Sequence, residues 1–142
     1  MSLDKKKNHI KILNSKSQNY LVTIIIGKKV KNSWQKFLKV NWIKYCKKNK
    51  LGLIVITKDL IDKKNIFWKK ATWQKMLIGK YLKDNFSKKI SNICYLDSDI
   101  IINPFAPNIF NFQKTKKISI VSMINNLPYD LLGTRKKISF LR

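Results

Sequence analysis

Asp97 and Asp99 are the residues whose type and spacing point most directly to chemistry. In Ile93-Cys94-Tyr95-Leu96-Asp97-Ser98-Asp99-Ile100-Ile101-Ile102 they interrupt what is otherwise one apolar run. On an extended chain, side chains at i and i+2 lie on the same side. At the carboxyl end of a strand, two such carboxylates can share one hard divalent cation, and that cation can neutralise a diphosphate. The pattern is cheap on its own, since seven Asp in 142 residues give about 0.3 Asp-x-Asp by chance. A structural alternative has the pair capping a turn ahead of Asn103-Pro104, each carboxylate accepting backbone N–H bonds. Burying neighbouring carboxylates without a cation is costly, and spacing alone leaves the two readings level.

Other chemistries lose their usual support. Neither G-x-x-x-x-G-K-[ST] nor G-x-G-x-x-G occurs, so Gly27-Lys28-Lys29 reads only as a loop. His9 is the single histidine, which removes Ser/His/Asp and Cys/His constellations. Cys46 and Cys94 belong to no metal-ligand spacing and are expected to be reduced, packed thiols.

The elements that would position the aspartates follow from periodicity. Residues 1–19 are rich in Lys, Asn and Ser, which fits a loose basic leader or a short edge element, with ordered structure expected from Tyr20. Leu21 to Gly27 and Leu53 to Thr57 are β-branched runs that predict strands buried on both faces, hence a parallel sheet. Between them Trp34, Phe37, Leu38, Trp42, Tyr45 and Cys46 fall at helical spacing with lysines in the gaps, completing a βαβ unit. Ala71 to Phe86 repeats the helical pattern through Trp73, Met76, Leu77, Tyr81 and Leu82. Ile93–Leu96 predicts the aspartate-bearing strand and Ile118–Met123 a further one, after turns at Asn103-Pro104 and Ala106-Pro107. No repeat or linker divides the chain, so residues 20–142 are expected to form one α/β domain with a mainly parallel sheet flanked by helices. In such a sheet ligands bind outside the carboxyl ends of the strands, where Asp97 and Asp99 would lie.

Residues 93–104 resemble the metal-binding segment of GT-A-type glycosyltransferases, and the likeness extends to Trp73-Gln74-Lys75 and to the order of elements over residues 20–126. The resemblance implies a Rossmann-like donor-binding half. In it Asp97 and Asp99 hold Mn²⁺ or Mg²⁺ against the diphosphate of a UDP- or GDP-sugar, with Ser98 between them. The metal would act as a Lewis acid for the leaving group. By the same resemblance Lys75 reaches the donor phosphate or sugar, and the strand end at Ile26 and Gly27 borders the base. The implied activity is sugar transfer to a glycan or lipid-linked acceptor in cell-surface polysaccharide or glycoprotein assembly. Such families continue into acceptor-binding segments and often carry a later histidine on the metal. Here no histidine follows the aspartates and Asp130 is the one later carboxylate. A chain truncated before its acceptor-binding part, or an inactive donor-binding fragment, is therefore an expectation beside the active enzyme.

The formal charge is +24, yet hydrophobic residues make up 44% of the chain, which excludes an intrinsically disordered tail. The residues favoured by A/T-rich codons, 29 Lys, 21 Ile and 14 Asn, supply much of the composition, and all seven acids are Asp. Lysine pairs from 28–29 to 136–137 are spread along the chain, whereas a nucleic-acid site concentrates charge on one face. A basic nucleic-acid-binding α/β domain is thus the second reading; Trp34, Trp42, Trp68 and Trp73 could stack on bases, but three of them fit helical faces that pack on the sheet, and core packing is the first expectation. The longest uncharged apolar stretch, Tyr20 to Gly27, is far short of the roughly 18–20 residues that span a bilayer. The expected compartment is the cytoplasm, with Lys5-Lys6-Lys7 a candidate for peripheral contact with anionic headgroups at the inner membrane face.

Overall fold

The computed structural model describes residues 10–13, 16–86 and 90–112. Four strands form one sheet: β1 (Ile10–Leu13), β2 (Asn19–Ile24), β3 (Gly52–Ile56) and β4 (Asn92–Tyr95), in the order β1-β3-β2-β4. The three strands β3, β2 and β4 are parallel, with Leu21 opposite Leu53 and Val22 opposite both Ile54 and Tyr95. β1 runs antiparallel to β3, Ile10 opposite Ile56 and Leu13 opposite Leu53. Ordered structure therefore begins ahead of Tyr20, and over Ile10–Leu13 an edge strand takes the place of the loose leader; residues 1–9 lie outside the described residues. Four residues with one polar position are too short for periodicity to mark them as a strand.

The helices cover both faces. α1 (Lys28–Ser33), a π-helical turn (Trp34–Leu38) and α2 (Lys39–Lys48) form one continuous helical segment between β2 and β3. Its residues Trp34, Leu38, Trp42, Tyr45 and Cys46 pack with Leu21, Ile25, Leu53 and Val55. Tyr20, Val22, Ile24, Ile54 and Ile56 point to the opposite face, against Ile78 and Leu82. Those two come from the second helical segment, α3 (Ala71–Gln74), a 3₁₀ turn (Lys75–Leu77) and α4 (Ile78–Asn85). Successive strand residues alternate between the two cores because the strand period is two. This is the helix-flanked α/β sheet that the buried strand runs require.

The helical faces depart from the sequence pattern in two places. The π turn puts an extra residue into one turn, so Trp34, Leu38 and Trp42 face the core while Phe37 is 66% exposed. In the second segment the buried positions are Gln74, Ile78 and Leu82, four residues apart, and Trp73 and Met76 face outward. The core expectation for Trp73 is thus overturned, whereas Trp34 and Trp42 are buried and in edge-to-face contact at 6.1 Å. The expected strand at Ile118–Met123 and the lysines at 5–7 lie outside the described residues.

Glycine is required where β2 and β3 meet. Tyr20 pairs with Gly52, and a Cβ at Gly52 would fall into the buried Tyr20 ring.

Candidate functional site

The carboxyl edge of the sheet gathers the candidate residues by topology. Parallel strands present their carboxyl ends together, and the strand order reverses between β2 and β4, the place where open α/β sheets form a ligand crevice. β2 runs on past its last ladder residue, with Ile25 N–H donating to Ile56 O at 2.8 Å, and ends at Gly27. Gly27 has φ 95° and ψ 146°, a conformation costly for any L side chain, and its Cα faces open space. There it opens α1, whose Lys31 N–H donates to Gly27 O at 3.0 Å, so the expected loop at Lys28-Lys29 is a first helical turn.

β4 leaves the sheet earlier. Its final bond is from Leu96 N–H to Val22 O, 3.0 Å, after which Asp97–Ile100 closes a turn, Ile100 N–H donating to Asp97 O at 3.3 Å. The same-side placement of i and i+2 on an extended chain therefore does not apply, because the strand has ended before the aspartates. They fall instead within one turn, and the charges of both act on the Tyr95 hydroxyl. Asp97 and Asp99 are exposed and Ser98 is half-buried.

The turn does not use these carboxylates as caps. Elsewhere the chain does so freely: Lys64 N–H donates to Asp62 Oδ1, Phe67 N–H to Asn65 Oδ1 and Phe105 N–H to Asn103 Oδ1, at 2.8–2.9 Å. Among the described residues no backbone N–H donates to Asp97 or Asp99, and no lysine stands within 4.0 Å of either. Exposed to water and without a cationic partner among the described residues, the two carboxylates are open to a ligand. The turn-capping alternative loses its support.

Asp97 has one side-chain partner, and it links the turn to Lys75. Tyr95 Oη donates to Asp97 Oδ1 at 2.9 Å, and Lys75 Nζ lies over the Tyr95 ring, 5.7 Å from its centroid. Burial pushes the Tyr95 phenol well above its ordinary range, and the Asp97 and Asp99 charges push it further. The hydroxyl thus stays a donor across the physiological range and fixes one carboxylate oxygen while the other remains open. Lys75, Asp97, Ser98 and Asp99 are brought to one neighbourhood; Gly27 stands on the adjacent strand end, with no contact linking it to them. Tyr95 was not singled out from the sequence, and its place two residues before Asp97 on a strand was the available signal.

α2 holds the chain that leaves the turn. Asn41 clamps Ile102 from both sides, Nδ2 donating to its carbonyl at 2.7 Å and Oδ1 accepting its N–H at 2.9 Å. Trp42 Nε1 donates to Ile100 O at 2.8 Å, and Tyr45 Oη donates to Pro107 O and accepts from Ile109 N–H. Asn41, Trp42 and Tyr45 therefore fix the irregular segment downstream of Asp99, although they are some 60 residues away in sequence. Sequence reasoning sees Trp42 and Tyr45 only as core residues.

Among the described residues no group of three or more His, Cys, Asp and Glu gathers at one point. Asp97 and Asp99 alone would supply two oxygen ligands and leave the other positions of a hard cation to phosphate and water, a common arrangement for Mg²⁺. The donor set fits Mn²⁺ or Mg²⁺ in that shared role. No family model, curated protein or solved structure matches the chain.

Proposed function

We propose that the chain binds a nucleotide-diphosphate sugar, a UDP- or GDP-sugar, through a divalent cation held by Asp97 and Asp99, and transfers the sugar to a glycan or lipid-linked acceptor. The observation that carries this reading is the pair of exposed, uncapped carboxylates in the turn that ends β4, beside the point where the strand order reverses. The resemblance of residues 93–104 to GT-A-type glycosyltransferases supports the sugar nucleotide over other diphosphates. Bound between carboxylates and diphosphate, the cation would stabilise the charge that develops on the departing nucleotide.

The chain's own residues orient this chemistry. Tyr95 holds Asp97 through Oδ1, which limits the carboxylate to the rotamer the hydroxyl reaches. Lys75, half-buried and poised over the Tyr95 ring, adds positive charge beside the same turn. Its amine is the candidate contact for a phosphate or sugar oxygen. The Asn41 clamp on Ile102 keeps the turn from swinging away from the sheet edge.

Calorimetric titration of UDP and of GDP into the protein, with Mn²⁺ and with EDTA, tests the reading. Binding of one nucleotide with Mn²⁺ that disappears in EDTA is the expected result. Equal binding in EDTA would assign the heat to the general positive charge, and no binding of either nucleotide with Mn²⁺ would refute the donor site.

A further inference from the structure

The connection between β3 and α3 contains Lys63-Lys64-Asn65-Ile66-Phe67-Trp68-Lys69-Lys70, an apolar triplet between two lysine pairs. It follows Ile56, so it leaves the same carboxyl edge of the sheet that carries the Asp97–Asp99 turn. Ile66 is 87% exposed and Phe67 72%, and one helical turn apart on the following segment Trp73 and Met76 are 68% and 79% exposed. Exposed apolar residues of this size, clustered in sequence, call for an occupant.

The tip is built rather than slack. Asn65 N–H donates to Asp62 O and Trp68 N–H to Asn65 O, both at 2.9 Å, giving two successive turns. Side chains of Asp62 and Asn65 cap them through Lys64 N–H and Phe67 N–H. Gln74, fully buried, ties the loop's flanks to α3: its Oε1 accepts from Leu60 N–H at 2.6 Å and its Nε2 donates to Lys69 O at 2.8 Å. The loop's two acids are both engaged, Asp59 by Gln74 of α3 and Asp62 by Lys64 N–H, and all four lysines are exposed.

We infer that this loop is a membrane-surface anchor, in which Ile66 and Phe67 enter the headgroup boundary of an anionic bilayer and Lys63, Lys64, Lys69 and Lys70 meet its phosphates. Charge decides the occupant. A second copy of the chain would set lysine pairs against lysine pairs, whereas an anionic lipid surface complements them and accepts the apolar tip at once. A nucleic acid would use the lysines and could stack on Phe67 and Trp73, but it would leave Ile66 and Met76, the two most exposed of the four, without an apolar partner. The inference stands independently of the nucleotide reading. Where both hold, the edge bearing the aspartate turn sits at the plane from which a lipid-linked acceptor is presented.

The test is partition of the full chain onto equimolar phosphatidylglycerol–phosphatidylcholine vesicles and onto phosphatidylcholine alone, by sedimentation and by tryptophan quenching with brominated lipid. An Ile66→Ser/Phe67→Ser variant is compared with Phe37→Ser/Val40→Ser, which alters an exposed apolar pair on the π turn and α2. All four side chains are exposed, and circular dichroism melts verify the fold of both variants. The expected result is binding to the anionic vesicles with tryptophan quenching. Partition falls at least about tenfold and quenching is lost in the Ile66/Phe67 variant, with little change in the Phe37/Val40 variant. Equal binding by wild type and the Ile66/Phe67 variant overturns the inference, as does equal loss in both variants. RNA binding that the Ile66/Phe67 variant alone abolishes, with vesicle binding intact, overturns it in favour of a nucleic-acid surface.

Discussion

Replacing Asn41 by Ala removes both hydrogen bonds that pin Ile102, 2.7 Å from Nδ2 to its carbonyl and 2.9 Å from its N–H to Oδ1. A net hydrogen bond contributes about 0.5–1.5 kcal/mol, so the pair accounts for about 1–3 kcal/mol. Ile102 is itself buried at 8% exposure, which hinders water from replacing the lost partners, while the half-buried position of Asn41 lets some water in. The expected loss is about 2 kcal/mol. With a urea slope of about 1–3 kcal/mol per molar, the unfolding midpoint should fall by about 1 M at an unchanged slope. Lys48→Ala is the control, because its bond to Pro104 O at 3.0 Å is exposed and should count for less than about 0.5 kcal/mol. Urea unfolding followed by tryptophan fluorescence measures both. An Asn41→Ala loss no larger than that of Lys48→Ala would refute the claim that α2 fixes the segment beyond the aspartate turn.

Gly52→Ala drives a Cβ into the buried Tyr20 ring and should cost about 1–3 kcal/mol or more, read from the same urea midpoint. Burial pushes the Cys46 thiol up to about 12 and raises Cys94 as well, against about 8.5 in an unfolded chain. The folded state thus holds these thiols neutral. Their contribution is complete below about pH 8.5 and is lost as pH rises towards the folded value. Between pH 8.5 and 9.5, below the ordinary tyrosine value of about 10, the unfolding midpoint of wild type under reducing conditions should therefore fall more steeply than that of Cys46→Ala. Comparing slopes removes the effects common to both proteins, and parallel slopes would contradict the assignment. Tyr95→Phe frees Asp97 Oδ1 and should weaken Mn²⁺-dependent nucleotide affinity about tenfold with little change in thermal stability, measured by calorimetry and melting.

The buried strands and their connecting helix were legible because their residues obey strong periods. Leu21–Ile25 and Leu53–Ile56 are continuous apolar runs, and such runs occur where both faces of a sheet are covered. The register of the second helical segment was not legible. Trp73 and Met76 have the size and polarity of core residues, yet Gln74 takes the inward place because three hydrogen bonds satisfy its amide there. Phe37 was misplaced for a different reason, since a π turn adds a residue that a 3.6-residue period does not count. β1 escaped notice because an edge strand of four residues pairs on one side only and imposes little pattern. At the site, the aspartates were legible from their interruption of an apolar run. Their geometry was not, because the end of β4 at Tyr95 is set by pairing with β2. The Asn41, Trp42 and Tyr45 clamp joins segments about 60 residues apart, a separation at which local pattern carries no information.

The central claim is that Asp97 and Asp99 together hold the cation that engages a nucleotide diphosphate, and Mn²⁺ electron paramagnetic resonance tests it most directly. With UDP or GDP present at fixed concentration, wild-type protein should remove the free Mn²⁺–nucleotide signal on titration. Asp97→Asn/Asp99→Asn, which alters exposed side chains and should melt as wild type does, should leave that signal in place. Equal loss of the signal with both proteins would contradict the account, because the metal would then be held elsewhere on the chain.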